Sequence, residues 1–161
     1  MTTPTRVEHE VVCRLVTHSD ELDAHFSVRR AVFVTEQGVF PDSDLDARDT
    51  APETLRVVGF VDGVPAGTVR LFPIDPLNPG GDWQGDRLAV LPGYRTYGLG
   101  VPLVRFAVAT AGARGGERMI AHIQPANRTF FRRLGWTQQG EQETYVGLPH
   151  LLMTIPLTPG H

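Results

Sequence analysis

The sequence predicts a mixed α/β (α+β-like) fold: a central mixed sheet of about six to seven strands, flanked by three to four helices. Three observations carry that expectation. Short apolar runs of strand type alternate with amphipathic stretches of helical spacing. Asp62-Gly63 separates two such apolar runs and is a hairpin signal. Residues 86–101 join a strand-type run to a helix start through Pro92-Gly93 and Arg95-x-x-Gly98-x-Gly100. With 161 residues, the chain is expected to form one domain, 1–161.

In order, Val11 to Val16 is apolar apart from Arg14 and forms a first strand. Thr17, Ser19 or Asp20 is placed to cap the helix that follows. Leu22, Phe26, Arg29-Arg30, Val32-Phe33 and Glu36 keep helical spacing until Gly38. An acidic loop, 40–49, comes next. Strands over Arg56–Val61 and Ala66–Phe72 flank the hairpin turn. Residues 73–85 are rich in Pro and Gly and read as a loop over a cleft, with Trp83 either a substrate wall or a packing plug. Leu88 to Leu91 is a strand. The helix after it shows Leu99, Leu103, Phe106, Ala107 and Ala111 on one face, with Pro102 tolerated in its first turn. Residues 112–116 end it. Met119 to Gln124 is a strand, and a short helix runs from Pro125 to Leu134 with Gly135 as its left-handed cap. Strands from Trp136 to Val146 and from His150 to Leu157 complete the sheet.

Composition removes several function classes. Hydrophobic residues make up 41% of the chain and charged residues 20%, with a net charge of −3, which argues against disorder and against broad nucleic-acid binding. No apolar run approaches the roughly 20 residues of a membrane span, and the first residues lack the apolar stretch of a signal peptide. The expectation is a cytoplasmic protein. Cys13 is the single cysteine, so an intrachain disulfide or a Cys-based zinc cluster is excluded, and no metal is expected.

The 86–101 stretch carries the chemistry. A glycine-rich turn entering a helix leaves backbone N–H groups unpaired at the positive end of the helix dipole, which suits a phosphate or pyrophosphate. Glycines at 98 and 100 let the backbone approach closely, and Arg95 offers a charge-assisted contact. In the acidic loop, Asp42, Asp44, Asp46 and Glu53 have EF-hand spacing, but Ala47 replaces the obligatory glycine and Pro52 precedes the Glu. The loop is either a cap-and-turn cluster or a negative rim for a cationic amine.

The glycine turn after Leu88-Ala89-Val90, together with Asn127 and Phe130-Phe-Arg-Arg-Leu-Gly-Trp136, resembles the GNAT acyltransferase superfamily over roughly residues 10–157. Residues 29–38, the acidic loop and 147–153 are similar to its ElaA-like branch, and to an N-acetyltransferase group associated with nitrogen-starvation gene clusters. The first half also resembles acyl-homoserine-lactone synthases, through Arg-x-x-Val-Phe and Gly67-Thr-x-Arg-Leu71.

The resemblance implies acetyl-CoA as co-substrate. Arg95, Tyr97, Gly98, Gly100 and Val101 would hold the pyrophosphate. Leu88, Ala89 and Val90 would lie along the pantetheine, with Asn127 near it, and a backbone N–H would polarise the thioester carbonyl. The implied reaction is direct attack by a primary amine of a small molecule in a ternary complex. The family's usual Tyr acid is replaced here by the pair Phe130-Phe131, so Tyr145, Tyr97 or a water protonates the thiolate, or the thiolate leaves unassisted. Candidate bases are Glu36, Asp86, His122 and His150, with Gln124 as a water positioner; Glu36 and His150 are the first choices. Two other functions stay open: a synthase of the acyl-homoserine-lactone type, and a non-catalytic acyl-CoA sensor. The resemblance also allows a homodimer.

Overall fold

The computed structural model describes residues 8–145 and 147–159. Seven strands form one sheet in the order β1-β2-β3-β4-β5-β7-β6. They are β1 (Val11–Leu15), β2 (Leu55–Val61), β3 (Val64–Pro73), β4 (Asp82–Val90), β5 (Arg118–Ile123), β6 (Thr137–Tyr145) and β7 (Leu148–Pro156). Every neighbouring pair is antiparallel except β4–β5. The helices are α1 (Ser19–Arg29), α2 (Gly100–Ala113) and α3 (Arg128–Arg133). No helix among the described residues is long and apolar enough to cross a membrane.

The hairpin signal is realised as a two-residue turn, with Asp62 at φ 50° and Gly63 at φ 81°, the left-handed pair that matches strand twist. Alternation along the strands then sorts side chains to two faces. One face gives Val57, Val69, Leu71, Met119 and Met153 to a core closed by Leu99, Leu103 and Ala107 of α2. This helix lies very close to the sheet because Gly59 and Gly67, paired across β2 and β3, have no side chains. A Cβ on Gly67 would stand 2.7 Å from Leu99 Cδ2 and 3.0 Å from the Ala89 carbonyl.

The other face is charged. α1 packs on β2, β3 and β4, burying Val28 and Val32 against Ala89 and also the fully buried Arg29. Arg29 donates to Asp44 (2.7 Å) and, through both Nη atoms, to Asp49 (2.7 and 3.0 Å). Arg70 reaches Asp86 and Asp46 in the same bidentate way. The acidic loop therefore faces inward as a cap-and-turn cluster: Asp44 and Asp49 are buried, and Asp46 and Asp49 form the capping box of a 3-10 turn over Ala47–Thr50. Of the two readings of the loop, the free negative rim is corrected, because arginines on α1, β3 and β4 take the carboxylates of Asp44, Asp46 and Asp49.

Three expectations about elements change. The first helix was expected to continue unbroken towards Gly38. It widens instead into a π-helical segment over Arg30–Glu36, which lets consecutive residues face inward, Val32 onto Ala89 and Phe33 towards a cleft. Its start has His18 at the N-cap position with no side-chain cap; the Glu21 carboxylate accepts from Thr17 N–H at 3.0 Å. The expected loop 73–85 is shorter, because β4 begins at Asp82. Trp83 is a core residue in that strand, 2% exposed, its indole N–H donating to the Pro79 carbonyl at 2.8 Å. Its bulk, rather than the Pro and Gly before it, decides the local structure. The expected end of the sixth strand, Val146, lies outside the described residues.

Candidate active site

β4 and β5 pair only over Asp82–Arg118, Trp83–Met119 and Gln84–Ile120. Among the described residues no β4–β5 pair follows, so the two strands part into a cleft. A bulge re-aims β4 at this point: Arg87 and Leu88 oppose the single residue Val69, and Arg87 takes φ 52°. Such a conformation costs a non-glycine residue of order 1–3 kcal/mol unless its surroundings hold it. Here they do. The Arg87 guanidinium donates to the Asp44 carbonyl (2.8 Å) and to Asp46 (3.3 Å), and lies 4.8 Å from the Phe40 ring centre.

Beyond the bulge, Leu91 N–H donates to the Ala66 carbonyl at 2.8 Å. The alternation of an antiparallel ladder then turns the backbone groups of Val90 away from β3, towards the cleft. The Leu88 and Val90 side chains are half-buried against the α2-side core, Leu88 also lining the cleft, while the Ala89 side chain is buried under α1. A 3-10 turn over Pro92–Tyr97 ends at Gly98, φ 70°, and α2 starts with no side-chain cap. Gly98 is exposed, and Gly100 leaves room for Phe130, whose Cζ would be 3.3 Å from a Cβ at position 100. Val101 lies in the first turn of α2. Tyr97 is exposed and packs edge-on against His9.

Arg95 is already engaged. Its Nε donates to the Val90 carbonyl (3.1 Å) and its two Nη atoms donate to the Glu36 carboxylate. That contact holds the Glu36 carboxyl below the usual carboxylate range. Glu36 does not line the cleft. The structure thus brings Arg95 and Glu36 to each other and keeps Glu36 away from the other candidate proton-transfer groups.

Those other groups converge. β5, β6 and β7 turn His122, Tyr145 and His150 to the face that α1 leaves uncovered, where they line the cleft with Gln124, Asn127 and Asp86. The His122 and Tyr145 rings stack, 4.2 Å apart and 5° from parallel, and His150 meets Tyr145 edge-on at 5.4 Å. Burial, and then the neighbouring His150, push the His122 ring below its ordinary pKa, so it is uncharged at neutral pH. His150 Nδ1 lies 3.0 Å from the Leu148 carbonyl. A carbonyl only accepts, so Nδ1 carries the proton and Nε2 of the neutral ring presents a lone pair. Asp86 is held bidentately by Arg70. The opposite wall, Phe33, Gln37 and Phe40, is absent from the sequence-level candidates. The adjacent apolar pair Val32-Phe33 is the one local signal for it.

A parted strand pair, a bulged β4 and a glycine turn into an uncapped helix thus meet at one cleft. The sequence profile of the Acetyltransferase (GNAT) family matches residues 22–136. The chain belongs to that family and is an acyltransferase with the GNAT fold. Among its relatives is a Bacillus subtilis (strain 168) protein named as an acetyltransferase, 29% identical over 140 residues, 86% of this chain and 92% of its own. Escherichia coli ElaA superposes with a TM-score of 0.78 at 20% identity, over 90% of this chain and 99% of its own. The CoA-dependent acyl-homoserine lactone synthase BjaI, solved with SAM and isopentyl-CoA, superposes with a TM-score of 0.76 at 18% identity, over 92% and 84%.

Proposed function

We propose that this chain transfers an acyl group, acetyl as the base case, from an acyl-CoA to a primary amine of a small molecule. The observation that carries this reading is the free edge of β4 beyond Gln84, ending in an uncapped helix start. The residues fit such a donor. The Val90 N–H and Leu88 offer a strand edge to pantetheine amides, and N–H groups at Gly98, Gly100 and Val101 suit a pyrophosphate. Arg95 and Tyr97 flank that turn, and Asn127 stands across the cleft. Ala89 contributes by packing β4 on α1.

The amine nitrogen attacks the thioester carbon and a C–N bond forms. The C–S bond breaks and its electron pair goes to sulfur. His150 Nε2 takes the amine proton, Tyr145 O–H supplies a proton to the thiolate, and Gln124 holds a water between them. The products are an amide and free CoA thiol. An alkylammonium of ordinary pKa is about one part in a few thousand neutral at pH 7, so a nearby base lowers the barrier. Glu36 acts through Arg95 on the position of the turn.

The test is thiol release from acetyl-CoA with a panel of small primary amines. Amine-dependent release that disappears in the double variant His150→Gln/Tyr145→Phe supports the reading. Saturable CoA binding with no release on any amine favours a sensor instead. An acyl-homoserine-lactone-type synthase is the second reading, supported by the likeness to BjaI, and S-adenosylmethionine in the same panel separates it.

A further inference from the structure

Beside the cleft, the 40–49 segment and strands β3 and β4 enclose an open-sided recess. Tyr145, Gln84, Asp86 and Arg87 line both spaces, so the recess continues from the place where the proposed reaction puts the amine. Its charges do not balance: the guanidinium groups of Arg48, Arg70 and Arg87 share it with only the carboxylates of Asp46 and Asp86. Those carboxylates are already taken. The buried Arg70 spends Nε and both Nη atoms on them, and Arg87 adds a contact to Asp46. What remains unfilled is donors. Arg87 leaves Nη1 without a hydrogen-bond partner among the described residues. Arg48 spends only Nη2, on the Ile74 carbonyl at 3.3 Å. Its Nη1 lies 3.9 Å from the Glu53 carboxylate, beyond hydrogen-bond range. The Arg48 group is nevertheless held in place, 4.2 Å from the centre of the Phe72 ring, and Phe72 is a core residue. A guanidinium stacked on a fixed ring keeps its in-plane N–H groups available, which is the geometry that grips a carboxylate.

Building on the acyl-transfer reading above, we propose that the acceptor is an amine that also carries a carboxylate, the chemistry of an amino acid. Its amine reacts beside His150, and its carboxylate enters the recess and takes the open donors of Arg48 and Arg87. Arg48 is then the residue that sets acceptor specificity. A cationic tail would be repelled by the surplus of positive charge. A dianionic phosphate would press its second charge against Asp46 and Asp86. An uncharged tail would leave the guanidinium donors to water. A single planar carboxylate matches both the fork and the charge.

The experiment is steady-state thiol release from acetyl-CoA by the full chain. The panel is the common α-amino acids and short straight-chain ω-amino acids, each beside its own carboxamide, with linear diamines and O-phosphoethanolamine. The expected result is a KM for the best amino acid at least about tenfold below that of its carboxamide, the value of a charge-assisted hydrogen bond. Arg48→Gln is expected to bring that ratio within about twofold, and Arg48→Lys to keep part of it. Equal or better use of carboxamides or diamines by the wild-type chain overturns the inference. A ratio that Arg48→Gln leaves unchanged does so too, as does a preference for O-phosphoethanolamine. The wild-type ratio decides even where Arg48→Gln fails to fold. Thiol release on uncharged or cationic amines alone defeats this inference and leaves acyl transfer standing; no release on any amine defeats the acyl-transfer reading with it.

Discussion

At Glu36 the Arg95 guanidinium holds the carboxyl below its ordinary range, which suits an ion-pair partner better than a proton acceptor. Glu36→Gln is expected to keep kcat within about threefold while raising the KM for acyl-CoA, whereas His150→Gln lowers kcat by about a hundredfold or more. Steady-state thiol release separates the two effects. The reverse pattern would restore Glu36 as the base. His25 makes a different prediction. Its Nδ1–H donates to the Val57 carbonyl (3.1 Å) and its Nε2 accepts from Arg29 (3.3 Å). Burial, and then the Arg29 charge, push its pKa down to about 3. The unfolded chain binds a proton here below about pH 6.5 and the folded chain does not, so stability falls with pH between those values, by up to about 1.4 kcal/mol per pH unit. Urea midpoints at pH 7 and pH 5 should differ less for His25→Gln than for the wild-type chain. The glycine turn was legible from sequence because its spacing is local. The Arg95–Glu36 pair joins residues 59 positions apart, and no local pattern announces such a contact.

Among the elements, α2 depends on two missing side chains beneath it. Gly67→Ala would force the first turns of α2 off the sheet and is expected to cost about 1–3 kcal/mol, seen as a lower Tm by calorimetry. Because the same shift moves the residues after Gly98, CoA affinity should fall as well. The succession of strands and helices along the chain and both glycine-bearing turns could be read in advance from apolar period and turn chemistry. The start of β4 could not. Pro and Gly before Trp83 imitate a longer loop, and only the tertiary burial of the indole reveals the strand. The π-helical segment was hidden because nothing in Arg30–Glu36 breaks the helical pattern locally, and its widening shows only in the backbone hydrogen bonds. The convergence of His122, Tyr145 and His150 depends on strand register. Sequence could place His122 and Gln124 on one side of β5, but not β7 between β5 and β6.

For the molecule as a whole, the notable division is between a hydrocarbon face under α2 and an ionic face under α1. Removing one member of a buried ion network leaves its partners uncompensated, so Arg29→Met is expected to cost about 3–5 kcal/mol, measured by urea unfolding. Asp49 belongs to the same network. Burial alone would raise its pKa, but the hydrogen bonds from Arg29 outweigh burial and hold it far below the carboxylate range. Its contribution is therefore complete above the ordinary Asp pKa, about 3.9, and is lost as the solution is acidified below it. The Arg87 bulge is fastened by this network through Asp44 and Asp46, and that has a consequence for engineering. The 40–49 segment resembles an exchangeable surface loop, the usual place to graft a new acceptor preference. Here it is also the buttress of the parted β4 edge that the proposed function gives to the donor. A loop transplanted from a relative without matching carboxylates would release Arg87 from its left-handed conformation and let β4 relax towards β5. Under the proposed function, exchanging the loop alone would therefore disturb the donor site as well, and a viable chimera must carry the loop, Arg70 and Arg87 together.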